Sequence, residues 1–320
     1  MKDTSNPVAG EDYPRTYQQF LSWFADEKAC RSYLQKCRWP QGFECAHCGW
    51  RGEPWTTARG YLHCHQCGSE TSVTAGTMFD RTRMPLQTWY AAIWFLMSQK
   101  DGASALGLQR VLGFGSYQTA WTWLHKMRRA MVRPDRERLR GKVEVDETYV
   151  GGFHAGDKPG RGGERRSIVI IAVETHSPKG FGRLRMRRVA DASGGSLVPF
   201  VCDVVEKGSE ILTDGWGGYK RLPQLGYTHT PTVSSSSGDP AHVSMPAVHR
   251  VAALLKRWLL STHQGAVSAK HLDYYLDEYT FRFNRRSSRS RGLLFYRLFQ
   301  QAANTAPVSF CQIVGEDHNG

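Results

Sequence analysis

Two CxxC pairs constrain this chain more than any other feature. Cys45-Ala-His-Cys48 and Cys64-His-Gln-Cys67 are separated by 15 residues. A CxxC on a tight turn aims two thiolates at one tetrahedral ion, and two such knuckles complete a four-cysteine site with metal–sulfur bonds of about 2.3 Å. Gly49 and Gly68 follow the two pairs, as tight knuckles prefer. Four thiolates close the coordination shell, so Cys45, Cys48, Cys64 and Cys67 predict structural Zn2+ rather than a catalytic ion. The competing reading is a redox CxxC, and two matched pairs outside a thioredoxin-like pattern argue against it. Cys30, Cys37, His47, His63 and His65 are left as packing or surface groups.

The rest of the chain is too long to be organised by one small metal site. Its 320 residues correspond to about two domains at roughly 150 residues each. No apolar run reaches the length of about 18 residues that a spanning helix needs, and the first residues lack a secretory signal core. A soluble, cytoplasmic, nucleoid-associated chain with no membrane partner is expected. Lys and Arg number 42 against 29 Asp and Glu, a formal charge of +13. That excess favours a polyanionic partner over plain solubility charge. Between the knuckles, Trp50, Arg51, Trp55, Arg59 and Tyr61 interleave bases with aromatics. The pattern suits nucleic acid and equally suits a ribbon with a tiny core.

Residues 1–15 read as a flexible leader, 16–80 as the zinc-ribbon module, 81–140 as a helical module, 141–305 as an α/β domain and 306–320 as a tail. Residues 231–240 read as a loop. In the helical module, Leu86 to Gln99 is a strongly apolar helix. Ser104 is placed to cap a second helix ending at Leu112. Gly113-Phe114-Gly115-Ser116 supplies a turn, and Tyr117 to Val132 forms a third helix. Helix, glycine turn, helix is the layout of a helix-turn-helix, with a plain helical hairpin as the alternative. Its second helix offers Gln118, Thr122, Lys126, Arg128 and Arg129 to a DNA groove, with Thr119 and His125 on the same helix. Lys126 to Lys142 holds eight basic residues against two acids, as a segment contacting a phosphate backbone would.

Lys142 to Gly151 reads as a strand, with Val143 and Val145 on one face and Glu144, Asp146 and Thr148 on the other. Further strands are expected at 166–174, 183–190 and 210–214, with a helix at 196–205 and a late helix after Met245. That order fits an RNase H-like mixed sheet flanked by helices, within an α+β or α/β multidomain chain. Asp146 sits mid-strand and Asp214 ends another strand. If the two strands pair, both carboxylates leave one edge and can hold one or two Mg2+ or Mn2+ ions that clamp an in-line phosphoryl displacement. His249 can ligate a divalent ion, although a structural histidine is the plainer reading. Lys256, seven residues on, shares its helix face about 10 Å away and can touch a phosphate. Arg282, Arg285 and Arg286 lie in a basic stretch suited to a DNA backbone or to a solvated face. Asp277 and Glu278 precede it and match a third-acid position less well than His249.

Taken together these residues resemble the DDE-type transposases of bacterial insertion sequences, in the ISXO-type group that joins a zinc ribbon and a helix-turn-helix to an RNase H-like domain. The likeness runs from about residue 15 to 305. It is densest at VEVDETYVGG (143–152), TDGWGGY (213–219), residues 262–286 and the paired knuckles. The resemblance places the catalytic acids at Asp146 and Asp214 and the third group at His249 with Lys256 following, a DDH variant rather than DDE. It implies metal-dependent cleavage of double-stranded DNA at terminal inverted repeats. Transfer of the 3′-OH into target DNA follows, by a homo-oligomer in a synaptic complex. Two other functions remain open on sequence alone. One is a decayed or domesticated sequence-specific DNA-binding protein. The other is a nuclease of resolvase or RNase H type.

Overall fold

The computed structural model describes residues 6–133, 135–151, 166–176, 180–232, 245–265 and 267–315. Most of the loop expected at 231–240 lies outside the described residues. The chain divides into two compact units, one of residues 1–133 with 287–320 and one of residues 134–286.

The first unit opens with α1 (Tyr17–Trp23) and α2 (Glu27–Arg38), each started by a side-chain cap, Thr16 and Asp26. The ribbon follows as an antiparallel pair, β1 (Phe43–Glu44) with β2 (Arg51–Gly52), and a three-stranded sheet of β3 (Trp55–Thr56), β4 (Leu62–His63) and β5 (Glu70–Thr71). Next come α3 (Leu86–Ser98), α4 (Ala105–Leu112) and α5 (Tyr117–Arg129), within a residue or a few of the sequence-derived bounds. Ser104 Oγ accepts from Gly107 N at 3.0 Å, and Gly113 ends α4 at φ 66°, a left-handed position glycine occupies without a Cβ clash. Trp89 and Trp123 stack with centroids 3.4 Å apart, fastening α5 to α3.

Three sequence-derived readings differ from the fold. The α/β domain was expected to run to 305, yet the helix Arg291–Ala302 belongs to the first unit. Its Phe295 and Phe299 are buried among Phe24, Tyr33 and Tyr90, an aromatic core that the short N-terminal helices could not close alone. The leader is ordered from residue 6: Tyr13 is buried and Arg15 donates to Ala9 O at 2.8 Å. Within the expected tail, a capping box at Ser309 starts the helix Phe310–Val314.

The second unit holds a sheet of β6 (Lys142–Val150), β7 (Ser167–Thr175), β8 (Phe181–Val189), β9 (Glu210–Asp214) and β10 (Thr228–Thr232), in the order β10-β9-β6-β7-β8. The first three strands are antiparallel neighbours, whereas β9 runs parallel to β6 and β10 parallel to β9. Period-2 alternation divides the apolar side chains between the two faces. Val143, Val145, Ile170, Ala172 and Ile211 pack under α6 (Gly194–Val204). Val169, Ile171, Val173 and Leu212 pack under the helices Pro246–His263 and Leu272–Phe283. These two are α7 and α8; the helices Arg291–Ala302 and Phe310–Val314 are α9 and α10. A sheet covered on both faces is a rigid platform, and the acidic residues leave it at one edge.

Candidate active site and metal centre

Parallel pairing of β6 with β9 carries the candidate active site. Lys142, Val143 and Glu144 lie beside Glu210, Ile211 and Leu212. The pairing ends there; the same offset carried two residues further would set Asp146 opposite Asp214, whose charge acts on the Asp146 carboxyl. Strand parity sends both toward the face that α7 covers, with Glu144 and Leu212. Burial pushes the Asp146 carboxyl up to about 6, and the nearby Asp214 charge adds to that rise. The Asp146 Oδ1 accepts from Glu147 N at 2.8 Å. Asp214 ends its strand in a turn in which Oδ1 accepts from Trp216 N at 3.0 Å.

His249 enters from the first turns of α7. Its Nδ1 stands 3.9 Å from Asp146 Oδ2, while its Nε2 is buried with no hydrogen-bond partner among the described residues. Lys256 follows two turns along α7, exposed, about 10 Å further by helical rise. It borders a cavity of about 430 Å³ between the end of β6 and α7, walled by Tyr149, Val150, Leu259, Leu260 and Val267. The structure therefore brings His249 next to Asp146, with Asp214 near enough for its charge to raise the Asp146 carboxyl. Among the described residues only the four cysteines form a cluster of three or more donors close enough to hold an ion; Asp146 and Asp214 are hard oxygen donors of the type that Mg2+ or Mn2+ takes.

Two further acids flank Asp146, and sequence reading assigned neither a role. Glu144 is buried, and its Oε2 accepts from Ala247 N and Val248 N at 2.8 and 2.9 Å. Glu147 Oε1 accepts from the Tyr219 hydroxyl at 2.6 Å. Burial pushes Glu147 up to about 7, with the Asp146 and Asp214 charges contributing. The signal for both was present: three acids in four residues of a strand, where charge is ordinarily scarce.

The alternative third acids stand elsewhere. α8 packs against β8, on the opposite side of the sheet order from β9. There Glu278 is fully buried and accepts from Arg282 Nε at 2.9 Å. Burial raises Asp277 to about 7 against the pull of Arg136.

In the ribbon, the four cysteine sulfurs all lie within 4.8 Å of one another, with Cys45–Cys67 and Cys48–Cys64 at 3.7 Å. A tetrahedron with metal–sulfur bonds of about 2.3 Å has edges of about 3.8 Å, so the cage matches zinc. Gly49 and Gly68, at φ 73° and 72°, turn back so that their N–H groups donate to Cys45 O and Cys64 O. Cys30 and Cys37 are buried thiols, both pushed by burial up to about 12, and take no part in the cage. Trp55 and Tyr61 are exposed, while Arg51 and Arg59 pair with Glu44 and Glu70 at 2.8 and 3.0 Å.

The DNA-facing residues read from sequence divide by environment. On α5, Gln118 and Arg129 are exposed, Lys126 is half-buried with its pKa lowered by burial, and Thr122 Oγ1 donates back to Gln118 O at 2.7 Å. Arg128 does not face outward as expected: it is buried, as is His125, because both continue the apolar stripe of Ala120, Leu124 and Met127. The basic stretch after Tyr279 is likewise engaged within its own unit. Arg285 stacks on Phe281 at 3.8 Å, and Arg286 lies over Phe283 at 4.2 Å and donates to Phe283 O at 2.9 Å.

Comparison with known proteins finds a match in each of the two regions. Residues 138–284 match the ISXO2-like transposase domain, and residues 25–70 match the transposase zinc-ribbon domain. A Halobacterium salinarum protein, described as an uncharacterized protein in transposable element ISH50, is 25% identical over 286 residues, covering 82% of this chain and 92% of the relative.

Proposed function

We propose, from the premise that this chain belongs to the ISXO2-like transposases, that it cleaves DNA at the ends of an insertion sequence and joins the freed 3′-OH to target DNA. The observation that supports this reading best is His249 Nδ1 at 3.9 Å from Asp146 Oδ2, with the Asp214 charge near enough to act on the same carboxyl. The five-strand order, three antiparallel strands extended by two parallel ones, supports an RNase H-like domain beneath it.

Asp146, Asp214 and His249 would hold Mg2+ or Mn2+. The cation, when bound, supplies Lewis-acid stabilisation of the charge that builds on the scissile phosphate. Asp146, in its deprotonated form, would take up the attacking group's proton and pass it to solvent. Lys256, exposed on the same helix face, binds a phosphate flanking the scissile one and orients the strand for in-line attack. Gln118, Lys126 and Arg129 on α5, in a helix-turn-helix reading of α4 and α5, contact the terminal repeat. Zn2+ on the four cysteines holds the ribbon in shape. Two or more copies would pair the element ends, acting on the nucleoid in the cytoplasm. Among the described residues no helix is long and apolar enough to cross a membrane.

The test uses duplexes taken from the DNA bracketing the gene, with Mg2+ or Mn2+ and a second duplex as target. Nicked products with 3′-OH ends and joined products are expected, and Asp214→Asn should lose both while keeping end binding. Specific binding without any cleavage by the unaltered protein favours the decayed DNA-binding alternative. Cutting of branched DNA or hybrids with no end preference favours a plain nuclease.

A further inference from the structure

Asp146, Asp214 and His249 belong to three different elements, so something must hold those elements in register. We propose that the acids flanking Asp146 are positioning residues: Glu144 ties the start of α7, and with it His249, to β6, while Glu147 ties the loop behind Asp214 to the same strand through Tyr219. The inference rests on the assignment of the three residues above and deepens it.

Glu144 is 4% exposed. A carboxylate in such a place is costly unless its oxygens are satisfied. Helix α7 offers the complement, because its cap position, Met245, makes no side-chain hydrogen bond and its first N–H groups would otherwise be orphaned. The Glu144 Oε2 takes two of them, from Ala247 and Val248, and the positive end of the helix favours the negative charge. His249 is the next residue of that turn. Asp146 is the next residue on the same face of the strand. A single carboxylate therefore sets the separation of two candidate ligands.

Glu147 points to the opposite face, where Tyr219 is fully buried under the sheet. The 2.6 Å bond joins β6 to a residue five positions beyond Asp214. Trp216, inside the same loop, donates through Nε1 to Ala192 O at 2.7 Å. The loop that follows Asp214 is thus held at two points, Trp216 and Tyr219. The two braces explain why acids surround Asp146 without sharing its role.

The experiment measures Mn2+ binding to the full-length protein by electron paramagnetic resonance, without DNA, alongside thermal melting and the metal and DNA dependence of cleavage. Glu144→Ala should weaken Mn2+ binding about ten- to hundredfold, the range typical of residues that orient metal ligands. It should raise the metal needed for half-maximal cleavage by the same factor and leave KM for DNA unchanged. Glu144→Asp, which keeps the charge but shortens its reach, should fall between. It also serves if the alanine variant melts too early to assay. Glu147→Gln and Tyr219→Phe should each weaken binding to a similar, smaller degree, with the double variant no worse than either single. Unaltered Mn2+ binding in both Glu144 variants overturns the first brace. Loss of binding in Glu147→Gln with none in Tyr219→Phe overturns the second, because Glu147 is then a ligand itself. Asp146→Asn is the control: Mn2+ binding that survives it refutes the centre rather than the braces.

Discussion

The four thiolates of the ribbon and the carboxylates proposed as a centre at the sheet edge stand on opposite kinds of support. Around Cys45 and Cys64 the apolar cluster is only Phe43 and Leu62, with Trp39 and Trp50 against it, and the ribbon strands are two residues long. Too little surface is buried there to hold a fold, so the ion must be part of the structure. Asp146 and Asp214 instead ride on a sheet packed on both faces by helices. In the ribbon the metal organises the chain. At the sheet edge, packing on both faces organises the chain.

The largest expected effect breaks that contrast in one step. Stripping zinc with a chelator, or substituting Cys64→Ser, should remove on the order of 10 kcal/mol of metal-coupled folding from the ribbon. Limited proteolysis should then cut freely between residues 43 and 71 while the amides of β6 and β7 stay protected from hydrogen exchange. A ribbon that resists protease without zinc would mean its small core suffices.

Next in size is Asp146→Ala. Losing one of the two acids should cost at least about a thousandfold in cleavage rate, several kcal/mol of transition-state stabilisation. The melting temperature should stay within a few degrees, because the sheet does not depend on that carboxylate. A variant that unfolds would put the sheet edge in the same class as the ribbon.

The smallest effect is a pH dependence that sharpens the comparison. Asp146 titrates at about 6 in the folded chain against an ordinary 3.8. Folding therefore favours its protonated form. In the metal-free protein that contribution to stability is complete below about pH 4 and is lost as pH rises through about 6. Metal binding needs the deprotonated form, so Mn2+ affinity at the edge should climb by up to about tenfold per pH unit below 6 and level off above it. Affinity that stays flat from pH 5 to 7 would remove Asp146 from the coordination sphere. Calorimetry of Mn2+ binding in zinc-loaded protein reads this directly.

Much of this could be read from residues alone, and the failures have a common cause. The knuckles, the β6 alternation of Val143 and Val145 against Glu144 and Asp146, and the Gly113 turn are local patterns, and all appear in the structure. Arg128 and His125 were misread because basic side chains on a helix look groove-facing until the apolar stripe beside them is seen packed. Arg285 and Arg286 look like a DNA track in sequence, yet they lie on Phe281 and Phe283 at the end of the helix that precedes them. The placement of α9 with the N-terminal helices links positions more than 250 residues apart, beyond the reach of any periodicity.

By itself the sequence determined which atoms could bind metal, since sulfur pairs at turn spacing and aspartates within or at the ends of strands carry their chemistry with them. Only the tertiary structure decided which of those atoms meet. Parallel pairing of β6 with β9 brings the strands of Asp146 and Asp214 side by side, and α7, held by Glu144, sets His249 3.9 Å from Asp146. Such encounters come from packing free energy shared over whole sheet faces, and no short window of sequence contains it.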